Sequence, residues 1–260
     1  MSQTKIHQTS NTGYGGSKSS DYDKVRHRYH PAQLDFMWSK LTKKENLNIA
    51  EMGAGTGLLT RALLAHPQWN AAISSYKCTD PIQGMRDVFS QAIQDARVSI
   101  SDGRFEESQD IPSEWADAVL AATSFHWATD MEAAAKELDR ILKPDGVIMF
   151  IWQMEDRTVP WVDSVWTLGE SYQNLTGQTA PQFSDWAFQK IFTLPSYTSH
   201  FSPPQNEEIV FSDETTADNV VARFKTWSAI ASMEAEQQEE LGRTREGVAE
   251  GADEDAVDRD

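Results

Sequence analysis

Cysteine is almost missing from this 260-residue chain. Cys78 is the one thiol, which excludes an intrachain disulfide and any metal cluster built on cysteines. Positive charge is scarce as well: 23 Lys and Arg stand against 40 Asp and Glu, a net charge of −17. A phosphate backbone demands a basic face, so a nucleic-acid partner is not expected. No apolar run approaches the length of a membrane span, so no membrane partner is expected either. Residues 1–20 are polar and lack the apolar core of a secretory signal. They are expected to be a disordered tail on a cytoplasmic protein. At the other end, residues 234–260 hold 11 acids against 3 bases and almost no β-branched or aromatic residues. A helix fraying into an acidic disordered tail is expected there.

What the chain does have is a concentration of glycine after one short apolar run, Leu47-Asn48-Ile49-Ala50-Glu51-Met52-Gly53-Ala54-Gly55-Thr56-Gly57-Leu58. An apolar run ending in an acid, three alternating glycines and an apolar helix start describe a strand, a tight turn and a helix. Glycine there lets a ligand approach the backbone closely. A dinucleotide fingerprint asks for a small residue where Leu58 stands, and no Gly-Lys-Ser/Thr follows for a P-loop. The loop points away from a polyphosphate. It points toward a ligand with a positive group for Glu51 and hydroxyls for a second acid.

That pattern resembles motif I of the class I S-adenosylmethionine (SAM)-dependent methyltransferases, E/D-x-G-x-G-x-G. SAM carries an amino group, a sulfonium, a ribose diol and an adenine, and no phosphate. The resemblance implies that Gly53, Ala54, Gly55 and Gly57 line the methionine and ribose end and that Glu51 bonds the amino group. Asp80, followed by Pro81, ends a second apolar run about 27 residues after Gly53, near the spacing of a ribose-binding acid. Its two oxygens suit a diol, although capping the next helix is a common task for Asp. Met85 lies near the cofactor in the family, where packing is its ordinary role. Gly103-Arg104-Phe105-Glu106 is similar to the family's G-x-A-E adenine loop, with Phe105 in place of a small residue. Glu106 suits the adenine amino group or is an exposed acid.

Thr123-Ser124-Phe125-His126-Trp127 resembles the S/A-F-H-W ending of the type 11 small-molecule branch, which includes trans-aconitate methyltransferase-like proteins. This places Thr123 at the cofactor and His126 at the acceptor. Lys143-Pro144-Asp145-Gly146 is similar to the family's K-P-G-G turn. Tyr22, Arg26, Tyr29 and Pro31 resemble a Y-x-x-x-R-P-x-Y-P segment that folds over the cofactor in relatives, with His27 replacing the first proline; Tyr22 and Arg26 are its cofactor candidates. The resemblance spans residues 21–233.

Alternation of strand and helix patterns from Asn48 to Trp152 predicts an α/β fold, a Rossmann-like doubly wound and mostly parallel sheet with helices on both faces. The family's strand order is 3-2-1-4-5-7-6. Here Glu208–Phe211 is expected as one late strand and no seventh strand is expected, which leaves the C-terminal part of the sheet incomplete. The methyltransferase domain is placed at residues 21–233, with a lid elaboration at about 153–200 that carries helices at Trp161–Leu175 and Asp185–Phe192.

The function implied is SAM-dependent methyl transfer to a small-molecule carboxylate, hydroxyl or amine. The sulfonium already activates the methyl, so alignment and exclusion of water dominate. His126 is a candidate base for a hydroxyl or amine; its other reading is a pocket-shaping or acid-binding histidine. No metal is expected, since no set of oxygen ligands for Mg²⁺ stands out. A SAM-binding protein without catalysis and a nicotinamide-dependent oxidoreductase are the alternatives. Oligomeric state is open.

Overall fold

The computed structural model describes residues 18–175, 185–231 and 233. They fall into two compact units. The first holds residues 27–152 and 185–211, and the second holds 18–26, 153–175 and the residues from 212 onward.

The first unit is built on a five-stranded sheet: β1 (Leu47–Met52), β2 (Ile73–Thr79), β3 (Val98–Ser101), β4 (Ala116–Ala122) and β5 (Leu142–Ile151). Every pairing is parallel, and the strand order is β3-β2-β1-β4-β5. Parallel strands need crossovers, and helices on both faces bury such a sheet from both sides. β4 (Ala-Asp-Ala-Val-Leu-Ala-Ala) shows the consequence: six of its seven residues are buried, with none of the alternation of a half-wet strand. In chain order, the longer helices of this unit are Pro31–Lys40, Leu58–Ala65, Pro67–Ala72, Gln83–Ala92 and Met131–Ile141. Pro at the first turn of the helices at Pro31 and Pro67 costs no hydrogen bond, because that amide has no intrahelical partner. Asp130 caps the last helix by accepting from the Ala133 amide at 3.0 Å.

Two cores lie in this unit. Leu47, Ile49, Leu59, Leu63, Trp69, Tyr76 and Phe89 are central to one, and the Trp69 indole N–H is satisfied by the Leu34 carbonyl at 3.0 Å. Met52, Phe105, Phe125, Leu138 and Ile141 are central to the other. Phe188 joins the second core from a 3₁₀ segment at Ala187–Thr193 and stacks on Trp152, with ring centroids 4.0 Å apart.

In the second unit, helices at Lys18–Val25, Pro160–Leu175, Ala217–Lys225 and Ser228–Ala231 pack together. Trp166 meets Trp227 at 4.5 Å between ring centroids.

Several expectations need correction. Glu208–Phe211 forms no strand: Val210 is 80 % exposed, and Pro203-Pro204 just before it cannot donate to a ladder. Phe211 instead stacks on His30 at 4.9 Å. Lys143–Gly146 is not a turn between helix and strand. It lies inside β5, where the register against β4 shifts between Ala116 and Ala118. The segment at 185–193 is 3₁₀ rather than α-helical. Lys18–Ser20, expected in the disordered tail, begin a helix. The expected lid divides: the helix at Pro160–Leu175 belongs to the second unit and Phe188 to the first. The tail at 234–260, and with it the expected absence of a seventh strand, lies outside the described residues. Among the described residues, β5 is an edge strand of the sheet and no helix is long and apolar enough to cross a membrane.

Candidate functional site

The strand order reverses at the β1/β4 boundary, and a doubly wound sheet offers its ligand crevice beyond the carboxyl ends of the strands at that point. Hydrogen bonds tie those ends together. The amides of Gly53 and Ala54 donate to the Thr79 carbonyl at 2.8 and 3.0 Å, and the Asp80 amide donates to Ser101 at 3.2 Å. The Ser124 hydroxyl donates to Met52 at 3.1 Å.

The loop after β1 has left-handed backbone at all three glycines, with φ of 70° at Gly53, 57° at Gly55 and 84° at Gly57. Two of them show what this achieves. A Cβ on Gly53 would stand 2.7 Å from the Ser124 Cβ, so this glycine allows close packing of β1 on β4. A Cβ on Gly55 would meet nothing within 4 Å, so that side of the loop is open.

Glu51, at the end of β1, is 1 % exposed. One oxygen, Oε2, accepts from the Tyr76 hydroxyl at 2.6 Å and the Thr60 hydroxyl at 2.7 Å. Burial pushes its carboxyl up to about 7; the two hydroxyl bonds oppose the rise and the Asp80 charge adds to it.

Asp80 ends β2 and is also buried. Its Oδ2 accepts from the Gly55 amide at 2.9 Å and its Oδ1 from the Ile82 amide at 2.9 Å. It therefore performs the turn-forming role and anchors the glycine loop as well. Burial raises its carboxyl to about 6, against the pull of those two amides and of Arg86.

The remaining candidates divide. Pro81 is partly exposed beside Asp80, and Met85 is buried on the helix that follows. Ala54 and Phe105 sit in the two cores; Phe105 lies edge-on to Phe125 at 5.0 Å and flanks Gly53. Gly103 backs onto Thr79, 2.9 Å from where its own Cβ would be. Glu106 uses Oε1 to hold the approach to the Met131 helix, accepting from the Thr129 amide and hydroxyl at 2.6 and 2.9 Å and from the Asp130 amide at 3.0 Å. Thr123 closes β4 with φ of 51°, a left-handed conformation rare for a β-branched residue, and its amide donates to Ile151. His126 lies in a 3₁₀ turn at Phe125–Trp127, and the Trp152 indole donates to its Nδ1 at 3.4 Å. Tyr22 and Arg26 belong to the second unit, where the Arg26 guanidinium lies 4.5 Å over the Tyr22 ring.

Sequence reasoning missed Tyr76 and Thr60 as the groups that fix Glu51. The available signal was weak: two hydroxyl residues on inward positions of elements flanking an acidic strand end.

A methyltransferase domain family, type 11, matches residues 50–150. A methyltransferase-like protein of Schizosaccharomyces pombe is 28 % identical over 88 % of this chain and 83 % of its own length. A second methyltransferase of that yeast is 30 % identical over 67 % of this chain and 69 % of its own length. The chain is a class I SAM-dependent methyltransferase. A solved type II methyltransferase from Anaeromyxobacter dehalogenans shares the fold with a TM-score of 0.57 at 18 % identity, over 87 % of this chain and 89 % of that one. The oxidoreductase and the non-catalytic alternatives are thereby set aside, and the cofactor of this methyltransferase is SAM.

The residues at the carboxyl edge suit that cofactor. The methyltransferase presents two buried acids and an open glycine loop there. The buried hydroxyls of Thr56 and Thr79 lack any hydrogen-bond partner among the described residues, as expected where a polar ligand completes the shell.

Proposed function

We propose that this methyltransferase acts on a small-molecule acceptor, as trans-aconitate methyltransferase-like proteins do, and that the acceptor atom is a carboxylate oxygen. In this reading Glu51 and the loop of Gly53, Ala54, Gly55 and Gly57 hold the methionine end of SAM. Asp80 holds the ribose, Pro81, Met85, Gly103, Phe105 and Glu106 flank the adenine side, and Thr123 completes the cofactor site. SAM supplies an activated methyl on a sulfonium. The chain's contribution is to align the acceptor and keep water out.

The observation that carries the reading is the Trp152 contact with His126. Nδ1 accepts the indole N–H, so in neutral imidazole the proton resides on Nε2. An imidazole in that tautomer is a hydrogen-bond donor at Nε2, not a base there. A donor suits an acceptor that is already ionised, and a carboxylate needs no proton removed before it attacks.

His126→Ala is expected to bind SAM normally and to lose about tenfold or more in kcat with carboxylic acid acceptors, the scale of a hydrogen bond to a charged group. His126→Gln, whose amide donates but cannot act as a base, is expected to recover most of that loss. Steady-state kinetics with SAM and a panel of carboxylic acids, phenols and amines checks both. Equal inactivity of the two variants, with turnover confined to phenols or amines, would restore the base role.

Gly55→Ala tests the cofactor half. The left-handed backbone alone should cost about 1 kcal/mol of stability, because the new methyl meets no protein atom. SAM affinity should nevertheless drop several-fold, because that methyl enters the space assigned to the cofactor. Unchanged affinity by calorimetry would move the cofactor off this loop.

A further inference from the structure

The Glu51 carboxylate has two oxygens, and the protein uses them unequally. Among the described residues its hydrogen bonds fall on Oε2, from the Tyr76 hydroxyl at 2.6 Å and the Thr60 hydroxyl at 2.7 Å. The two donors arrive from different elements. β2 runs beside β1 with Cys78 level with Glu51, and Tyr76, two residues earlier, shares the Cys78 face. Thr60 comes from the Leu58–Ala65 helix, whose Leu59 and Leu63 lie in the same core as Tyr76 and Cys78. On the other side, β4 brings Leu120 level with Glu51. Hydroxyls, a thiol and hydrocarbon therefore surround this buried acid, and the charge that acts on it is that of Asp80, of the same sign.

The direction of each hydrogen bond follows from counting hydrogens. A hydroxyl has one to give. Thr60 gives its hydrogen to Glu51, so toward Cys78 Sγ, 3.7 Å away, it can only accept, and the thiol is the donor. Burial, and after it the Glu51 charge, pushes both the Tyr76 phenol and the Cys78 thiol up. Both stay protonated, and the chain from Cys78 through Thr60 to Glu51 runs one way. Two donors aimed at Oε2 leave no place for a proton on that oxygen. A neutral Glu51 carries its hydrogen on Oε1, and an ionised Glu51 has its open lone pairs there.

We propose that Tyr76 and Thr60 are positioning residues for the cofactor: by committing Oε2 they make Oε1 the atom at which a proton and the amino group of SAM exchange. This rests on the reading above that Glu51 bonds that amino group. In the neutral acid, the hydrogen on Oε1 would face an ammonium donor to donor. In the ionised acid, Oε1 accepts from it. The two hydroxyls favour the ionised state, because a hydrogen bond to a charged acceptor is about twice as strong as one to a neutral acceptor. They oppose the burial that raises this carboxyl to about 7. Removing either hydroxyl shifts the balance toward the neutral acid. Affinity then falls most at low pH, where the proton competes best.

The test is calorimetric titration between pH 6 and pH 8 of the wild-type chain and its Tyr76→Phe, Thr60→Val, Thr60→Ser and Glu51→Gln variants. The ligands are SAM, S-adenosylhomocysteine and 5′-methylthioadenosine, which keeps the nucleoside and lacks the amino group. Tyr76→Phe and Thr60→Val should each weaken SAM and S-adenosylhomocysteine about tenfold at pH 6, the scale of a lost hydrogen bond to a charged group. The same loss moves the midpoint of the pH profile up by about one unit, so the deficit should shrink to about twofold by pH 8. Thr60→Ser, which restores the hydroxyl, should recover wild-type affinity. 5′-Methylthioadenosine should bind wild type and variants alike. Losses of equal size at pH 6 and pH 8, or losses that extend to 5′-methylthioadenosine, mean that the hydroxyls only hold the loop in shape, and they overturn the proposal. A loss confined to SAM puts the sulfonium rather than the amino group at Oε1 and overturns it as well. Should Tyr76→Phe fail to fold, Thr60→Val against Thr60→Ser decides by the same pH comparison. If Glu51→Gln weakens SAM while Tyr76→Phe and Thr60→Val match wild type, the positioning role fails and the reading of Glu51 stands. If Glu51→Gln binds SAM as wild type does at every pH, that reading fails and the proposal with it.

Discussion

Asp80→Ala is expected to weaken SAM binding about ten- to a hundredfold while leaving the fold intact. An ionised carboxylate can accept about four hydrogen bonds, and Asp80 spends two of them, one on the Gly55 amide and one on the Ile82 amide. The lone pairs that remain, one on each oxygen, match a ribose diol. Their loss costs about 1.5–3 kcal/mol, the range for hydrogen bonds to a charged group. The variant also releases the Gly55 amide, so the loop that contacts the same ligand is held less firmly. Stability should change little by comparison: the lost amide bonds are offset by removing a buried carboxylate that burial holds at a pKa of about 6. Asp80→Asn, which keeps one acceptor oxygen, should fall between wild type and Asp80→Ala. Calorimetric titration with SAM, beside circular dichroism of each variant, makes the comparison. Equal affinity in Asp80→Ala would remove this residue from the site.

The place of Asp80 at the end of β2 was legible because it follows from position along the chain: an acid at the end of an apolar run, at the spacing of a doubly wound fold. The glycines were legible for the same reason, since an alternating triplet after a strand has few uses other than left-handed backbone. β4 announced itself as an apolar run interrupted only by Asp117, as suits a parallel strand buried on both faces. What stayed hidden depends on pairing across the sequence. Tyr76 reaches Glu51 because β2 runs beside β1 in a register that pairs Ile49 with Tyr76 and Glu51 with Cys78. No local pattern carries that register. Likewise Arg26 and Arg223 meet only because two helices far apart in the chain end side by side. Glu208–Phe211 misled for the converse reason. Its β-branched and aromatic residues suit a strand, but β-propensity is largely a statement about neighbours to pack against, and Val210 has almost none. Lys143–Gly146 looked like a turn from its Pro and Gly, yet the edge position of β5 tolerates both within the strand.

The pH dependence of SAM binding should be set by Glu51, and Glu51→Gln should abolish the main step. Four groups face this carboxylate: Tyr76 and Cys78 from β2, Thr60 from the Leu58–Ala65 helix, and Asp80 beyond the end of β2. None is a cation, so among the described residues only the Tyr76 and Thr60 hydroxyls oppose the burial that lifts its pKa from 4.5 to about 7. A group whose pKa is raised on folding binds protons more tightly in the native state, so stability declines as pH rises from 4.5 to about 7. A shift of that size amounts to about 3 kcal/mol. In the free protein, then, the ionised carboxylate opposes folding above neutral pH. The amino group of SAM is the cation that this position lacks, and its binding should favour the ionised form and release a proton. Affinity should tighten about tenfold per unit from pH 5.5 to about 7. It should level off before the α-amino group of SAM loses its own proton near pH 8. Titrations in buffers of different ionisation enthalpy read the released proton directly. Glu51→Gln should bind more weakly, release no proton near pH 7, and retain only the shallower step that Asp80 contributes near pH 6. The same variant should be more stable than wild type at pH 8 and lose that advantage by pH 5. Wild-type affinity that stays flat from pH 5.5 to 7.5 would mean that Glu51 supports the loop without meeting the amino group.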